Sequence, residues 1–296
     1  MGSISKATPL LSVVVPTCHR NEDLTQCLRE LQPQIQDNAP YRPGTVQKDD
    51  FLYEVIVTDD GTRSTAEGLI HDQFPWVRWC PGPRRGPAAN RNSGGRRARG
   101  EWLLFLDDDC VPMNSWLKAY GSATQQFPDY RVLEGQTVAP GPQLRCDHES
   151  PINVKGGMLW SCNFGIKRSL FFEIGGFDEQ FPFPSMEDMD LQFRLEHAGY
   201  TSKFLPEACA RHPWRPRRGT RFCFESAESI QYFISKHPQT RPIFDVTWGF
   251  KRMIKIAVFE FPKNLRRYRD LSVFRVLYLD LLTAVRITWI LRFKRP

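Results

Sequence analysis

The chain has 296 residues, of which 41% are hydrophobic and 25% are charged. This composition excludes a disordered protein and allows one large α/β domain with an extension. The 40 basic residues outnumber the 33 acidic residues and give a formal charge of +7. That charge favours anionic partners such as nucleotides, lipid head groups or nucleic acid, and it does not choose among them.

The cysteines and the N-terminus indicate a reducing compartment. Eight cysteines are spread along the chain without a C-x-x-C pair, so the sequence predicts neither a zinc site nor a compact disulfide framework. The apolar run at 10–15 is too short for a signal peptide and is interpreted as a strand. Together these features predict a cytoplasmic protein.

The N-terminal third alternates short apolar runs with one amphipathic segment. Residues 11–17, 53–57 and 77–79 have the β-branched and aromatic composition of strands. Apolar residues at 24, 27, 28 and 31 predict a helix that packs on the sheet. The polar stretch 37–50 predicts a surface insertion. This alternation is typical of a right-handed, doubly wound parallel sheet.

Five large apolar residues at 102–106 run directly into Asp107, Asp108 and Asp109. Such a run predicts a strand buried on both faces, whose carboxyl end emerges where open α/β sheets bind ligands. Asp60 follows an earlier strand and belongs at the same edge. Adjacent carboxylates repel one another unless a cation is close, which favours Mg²⁺ or Mn²⁺ carrying a substrate phosphate. A solvated acidic turn that caps the next helix remains the alternative.

Three later segments carry further candidate chemistry. The small residues of 86–95 predict a helix start around Arg91 that binds a diphosphate or a nucleoside, or else simply packs tightly. Residues 131–138 and 158–166 predict strands, and 185–195 predict a helix with acids in its first turn. The segment 211–221 contains five arginines and His212, which suits either an anion-binding loop or a solvated surface.

Six motifs follow one another over residues 10–215. They are SVVVPT at 12–17, VTDDGT at 57–62, GPAANRN at 86–92, FLDDD at 105–109, GGFD at 175–178 and EDMDL at 187–191. In this order and spacing they resemble the inverting glycosyltransferases of family 2, which have the GT-A fold. Thr58 and the long stretch 37–50 depart from the family pattern and leave base and acceptor selection open.

The resemblance implies a role for each matching residue. Asp188 would be the catalytic base that deprotonates the acceptor hydroxyl. Asp109 and His212 would hold Mn²⁺ or Mg²⁺. Residues on the donor and nucleotide side would be Pro16, Thr17, Arg20, Asp60, Arg91, Asp107 and Asp108. Residues on the acceptor side would be Trp160, Asn163 and Glu187.

The expected architecture is a GT-A catalytic domain at 1–240, with a mostly parallel central sheet, and a helical extension at 241–296. The extension is rich in apolar residues, but Arg275, Asp280 and Arg286 each cost about 2.5–3.5 kcal/mol at the centre of a spanning helix. This pattern predicts a pair of amphipathic helices that lie on the anionic inner face of the membrane. The alternative is that these helices pack on the catalytic domain or form a homodimer.

The expected function is metal-dependent transfer of a sugar from a nucleotide-diphosphate sugar to a hydroxyl of a glycan, a lipid-linked acceptor or a small molecule. A nucleotidyltransferase would carry a Gly-rich, Lys-bearing loop after the first strand, where this chain has the segment from Pro16 to Arg20. A non-catalytic nucleic-acid binder would need a binding module that the arginine clusters lack. No nucleic-acid partner is therefore expected.

Overall fold

The computed structural model describes residues 9–32, 53–63, 65–244 and 246–293. The predicted insertion at 37–50 lies outside the described residues. The chain divides into two compact units, and the predicted domain boundary at residue 240 falls inside the second of them. The first unit comprises Met1–Pro140, Pro151–Glu179 and Asp188–Pro213, and the second comprises Gly141–Ser150, Gln180–Glu187 and Trp214–Pro296.

The first unit is built on an eight-stranded sheet with the strand order β3-β2-β1-β4-β8-β6-β9-β5. A separate antiparallel pair, β7 with β10, belongs to the second unit. The strands are β1 (Leu11–Thr17), β2 (Tyr53–Asp59), β3 (Arg78–Pro81), β4 (Trp102–Leu106), β5 (Val111–Pro112), β6 (Val132–Val138), β7 (His148–Glu149), β8 (Asn163–Lys167), β9 (Ser202–Arg211) and β10 (Arg215–Pro216).

The sheet is mixed. Strands β3, β2, β1 and β4 run parallel to one another, as the sequence predicts. Strand β8 is antiparallel to both β4 and β6, whereas β6 and β9 are parallel. Because Leu106 pairs with Asn163, the beginning of β8 lies beside the carboxyl end of β4. The expected fold class, an α/β protein with a GT-A type sheet and a helical C-terminal region, is confirmed.

Helices cover both faces of the sheet in the first unit. The predicted apolar stripe of α1 is buried at Leu24, Cys27 and Leu28, which pack with the inward side chains of β1 and β2. The other face carries a stacked aromatic cluster around Phe105 and Phe164. The helices of this unit are α1 (Asn21–Glu30), α2 (Glu67–Gln73), α3 (Pro87–Arg97), α4 (Trp116–Gln126) and α5 (Arg168–Glu173), with α6 (Glu187–His197) beginning at the unit boundary.

The second unit is mainly helical, and Asp147 forms ion pairs with two of its arginines. The carboxylate of Asp147 forms ion pairs with Arg145 at 2.9 Å and with Arg275 of the last helix at 2.8 Å. No described helix combines the length and the apolar character that crossing a membrane requires. The helices are α7 (Thr220–Lys236), a 3-10 helix (Pro238–Phe244), α8 (Val246–Lys255), a π-helical turn (Ile256–Glu260), α9 (Phe261–Tyr268) and α10 (Ser272–Phe293).

Candidate active site

The carboxyl ends of β1, β2 and β4 meet through hydrogen bonds at Thr17. The hydroxyl of Thr17 donates to Oδ2 of Asp108 at 2.7 Å. The carbonyl of Thr17 accepts from the amide of Asp60 at 2.9 Å. Pro16 is buried in β1 opposite Thr58. The aspartates that follow two separate strands therefore belong to one rim of the sheet.

The three consecutive aspartates after β4 have different partners. Asp107 binds the guanidinium of Arg91 at 2.6 Å. The half-exposed Arg20 reaches both Asp108, at 3.1 Å, and Asp109, at 3.2 Å. Oδ1 of Asp109 lies 3.3 Å from Nε2 of His212, the residue that follows β9. Three cationic or potentially cationic side chains therefore surround the acidic cluster.

The environment of Asp108 shows how strongly this rim favours a nearby positive charge. Burial raises the pKa of Asp108 to about 7, because Arg20 and the Thr17 hydroxyl only partly offset the lost hydration and the charges of Asp107 and Asp109. A cation bound at this rim would lower the free energy of the ionised cluster. The acidic run is therefore more than a solvated turn.

Asp109 and His212 are the described residues best suited to hold a divalent cation. Nδ1 of His212 lies 2.9 Å from the carbonyl of Pro213, which fixes the proton there and leaves Nε2 as the basic nitrogen on the side of Asp109. Within the described ranges no group of three or more His, Cys, Asp or Glu side chains could hold a metal ion. A carboxylate and an imidazole that leave further positions to substrate oxygens fit Mn²⁺ or Mg²⁺.

Asp60 forms a second part of the rim. Its carboxylate accepts from the amide of Arg84 at 2.8 Å and from the amide of Gly86, while burial raises its pKa above the ordinary value. A Cβ at Gly82 would overlap side-chain oxygens of both Asp60 and Asn90, so only glycine fits there. Acceptor oxygens presented in this way suit the N–H groups of a base edge.

Arg91 interacts with two of the predicted site residues, Asp107 and Asp188. Its side chain is buried, pairs with Asp107 and lies 5.6 Å from the centre of the Phe177 ring. The same positive charge acts on Asp188, where it lowers the pKa. Sequence reasoning placed Arg91 near the donor and missed its electrostatic link to the residue that resembles the catalytic base.

Asp188 lies in the first turn of α6, and backbone amides surround its carboxylate. It accepts from the amide of Met189 at 2.9 Å, and the amides of Ser161 and of Asp188 itself also donate to it. Burial is the largest influence and raises its pKa, and Arg91 and these amides oppose the rise. A partly buried carboxylate with a raised pKa is a better proton acceptor than an exposed aspartate.

Asn92, the neighbour of Arg91 on α3, has a positioning role that the sequence did not reveal. Its side chain donates to the carbonyl of Phe177 at 2.8 Å and accepts from the amide of Phe177 at 2.9 Å. It also donates to Glu179 at 2.9 Å. This bidentate contact fixes the glycine-rich turn beneath the Phe177 ring on which Arg91 lies.

Of the predicted acceptor-side residues, Asn163 has the most completely described surroundings. Asn163 is in the core: its Oδ1 accepts from Trp116 and Tyr120, and its amide nitrogen donates to two backbone carbonyls. All four hydrogen-bonding positions are used, so we assign Asn163 to the core instead of the acceptor side. Trp160 packs against the core with a buried indole nitrogen, and Glu187 is buried at the start of α6.

Comparison with known sequences identifies a family model. Residues 12–123 match the model described as glycosyl transferase family 2. A validoxylamine A glucosyltransferase of Streptomyces hygroscopicus subsp. limoneus is 24% identical over 288 residues, which cover 82% of this chain and 60% of that protein. The chain spans less than two thirds of the length of this and two other curated relatives that it matches.

Solved structures share the fold. A mannosyltransferase of Pyrobaculum calidifontis, in complex with GDP-Man and Mn²⁺, has a TM-score of 0.53 at 19% identity, with 95% of this chain and 74% of that chain covered. GalNAc-T7 with UDP, GalNAc and Mn²⁺ has a TM-score of 0.53 at 16% identity, with 80% of this chain and 52% of that chain covered. At these identities the likeness concerns the fold.

Proposed function

We propose that this chain, whose residues 12–123 match the model described as glycosyl transferase family 2, is a metal-dependent, inverting glycosyltransferase. It would move a sugar from a nucleotide-diphosphate sugar to a hydroxyl of a glycan, a lipid-linked acceptor or a small molecule. The observation that carries this proposal is the buried Arg91, which pairs with Asp107 at 2.6 Å and also acts on Asp188. One positive charge thereby acts both on Asp107, at the proposed donor site, and on Asp188, the proposed base.

The donor would bind along the rim of the sheet. Asp60 would contact the base edge, beside the backbone of Pro16 and Thr17. The cationic side chains Arg20 and Arg91 would lie near the diphosphate and the sugar, together with Asp107 and Asp108. The mannosyltransferase that shares this fold contains GDP-Man and Mn²⁺, which supports a nucleotide-sugar donor with a metal.

Asp109 and His212 would hold Mn²⁺ or Mg²⁺. When bound, the cation would neutralise negative charge on the leaving nucleoside diphosphate. In this structure Arg20 pairs with Asp109, and a cation bound by Asp109 would replace Arg20 as the partner of that carboxylate. Arg20 would then be available for the diphosphate oxygens, since a guanidinium binds phosphate in a bidentate manner.

The acceptor hydroxyl would lose its proton to Asp188. One base and direct displacement at the anomeric carbon, without a covalent intermediate, give inversion. Trp160 and Glu187 remain candidates for the acceptor side. Because all eight cysteines are free thiols, a reducing cytoplasmic location is also part of the proposal.

The test is donor binding measured by thermal shift with a panel of nucleotide sugars, with and without Mn²⁺. A donor present at about a hundred times its Kd adds about 2.7 kcal/mol to the free energy of unfolding. Asp109→Asn should lose the part of this gain that depends on Mn²⁺. The matched control Asp72→Asn, which changes an aspartate whose side chain is 74% exposed, should keep it.

The product's anomeric configuration, read by NMR, tests inversion. Retention of the donor's configuration would contradict the single-base mechanism. Binding of nucleotide sugars that is equally strong without metal and in Asp109→Asn would contradict the proposed metal site. Both outcomes would leave the family assignment intact, because that assignment rests on residues 12–123.

A further inference from the structure

Four large apolar side chains of the second unit point away from its core. Phe250, Ile254, Val258 and Phe259, on α8 and the π-helical turn that follows it, are 57–67% exposed. The first three follow one another at intervals of four residues and therefore share one side of the helix. A contiguous apolar row of this kind on a helix is typical of a surface that contacts another apolar phase or partner.

The opposite side of α8 is fixed to the rest of the unit. A Cβ at Gly249 would collide with Thr288 of α10, so the two helices approach closely at this glycine. Trp248 packs against the buried Ile287 and Ile290. Ile256 is also buried. The exposed row is therefore the outer side of an anchored helix, and the packing within the unit leaves it uncovered.

Basic residues border this apolar row. Lys251 and Lys255 are exposed on α8, and Lys263, Arg266 and Arg267 are exposed on α9. Residues 246–268 contain six basic residues and one acidic residue, Glu260, which pairs with Arg252 at 2.6 Å. On α9, Phe261 and Tyr268 pack partly against the unit's core, whereas Leu265 is exposed. The strong positive charge of this segment selects an anionic partner.

We propose that this face of α8 and α9, hereafter the basic apolar face, binds the surface of a membrane that contains anionic phospholipids. The apolar row would enter the boundary between head groups and acyl chains, and the lysines and arginines would contact the lipid phosphates. A second copy of the chain fits less well, because a symmetric contact would bring two sets of five exposed cations together. The helices lie on the membrane in this proposal and do not cross it.

This inference extends the proposed function, because an enzyme held at a bilayer has access to lipid-linked acceptors. Lipid binding itself needs neither a sugar donor nor the aspartates of the rim. Its failure can therefore be distinguished from a failure of the proposed function by measuring nucleotide-sugar binding on the same preparation.

The experiment is flotation of the full chain with vesicles of phosphatidylcholine alone or with about 30% phosphatidylserine, at about 0.1 M and about 0.5 M salt. We expect binding to the anionic vesicles that weakens with salt. Lys251→Glu with Lys263→Glu should lower the partition coefficient more than tenfold, since each basic residue near the surface contributes about fivefold. Ile254→Ser with Val258→Ser should also lower it more than tenfold, because the apolar row would no longer enter the bilayer.

Two control variants change similar side chains elsewhere in the second unit. Arg221→Glu reverses a charge whose side chain is 91% exposed on α7, and Leu144→Ser removes an apolar side chain that is 80% exposed. Both should bind vesicles as the unaltered chain does. Equal binding to neutral and anionic vesicles, or full binding by both double variants, would overturn the proposal. A dimer in solution that the same double variants dissociate would overturn it in favour of a second copy.

Discussion

The side chain of Asn163 allows a sharp test, because two roles for it predict opposite results. In the structure it accepts hydrogen bonds from the indole of Trp116 at 2.8 Å and from the hydroxyl of Tyr120 at 3.0 Å. Its amide nitrogen donates to the carbonyls of Gln136 at 2.8 Å and Ala208 at 3.0 Å. Asn163→Ala would remove all four bonds and leave four buried groups without this partner.

Each such bond contributes about 1 kcal/mol net, so Asn163→Ala should lower the free energy of unfolding by about 4 kcal/mol. That is a large part of the roughly 5–15 kcal/mol of a typical domain, and urea unfolding followed by tryptophan fluorescence would measure it. The control Asn114→Ala, at an exposed residue before α4, should change stability by less than about 0.5 kcal/mol. An unchanged urea midpoint together with a raised KM for the acceptor would refute this reasoning and restore Asn163 to the acceptor side.

Two further predictions concern charged groups. Burial raises the pKa of Asp188 and the guanidinium of Arg91 opposes that rise, so Arg91→Met should raise the pKa further and move the acidic limb of the kcat/KM profile to higher pH. An acidic limb that stays in place would contradict the link between the two residues. In the second unit, the hydrogen bond from Arg145 is the largest cause that holds the pKa of Asp147 well below its ordinary value. Its ionised form therefore stabilises the fold above the unfolded-state pKa of about 3.9, and this stability is lost as the pH falls below that value toward the depressed folded pKa. Urea midpoints measured from about pH 5 downward should fall less steeply for Asp147→Asn, and equal slopes would exclude this role.

The strands and the acidic rim could be predicted from the sequence because both depend on local patterns. The apolar run at 102–106 has no polar position that could face water, so it had to be a strand buried on both sides. The spacing of residues 24, 27 and 28 fits only the buried side of a helix. Because β2 and β4 belong to one parallel sheet, the carboxylates that directly follow them lie at the same edge of that sheet.

The direction of β8 could not be predicted in the same way. Periodicity identifies a strand, but it does not specify which strand is its neighbour or whether the pair is parallel. Because β8 enters between β4 and β6 in the antiparallel direction, its first residue, Asn163, lies beside the end of β4. The sequence predicts Asn163 at the rim, but its side chain lies in the core. There it accepts hydrogen bonds from the indole and hydroxyl groups of two residues of α4.

The adjacent residues Arg91 and Asn92 would link the donor and acceptor sides of the proposed site. Asn92 fixes the backbone of Phe177 through two hydrogen bonds, and the Phe177 ring lies against the guanidinium of Arg91. Arg91 in turn pairs with Asp107 and lowers the pKa of Asp188. A substrate that draws Arg91 away from Asp188 would raise the pKa of that carboxylate and make it a stronger proton acceptor. Donor binding and activation of the acceptor hydroxyl would then be coupled through one buried positive charge.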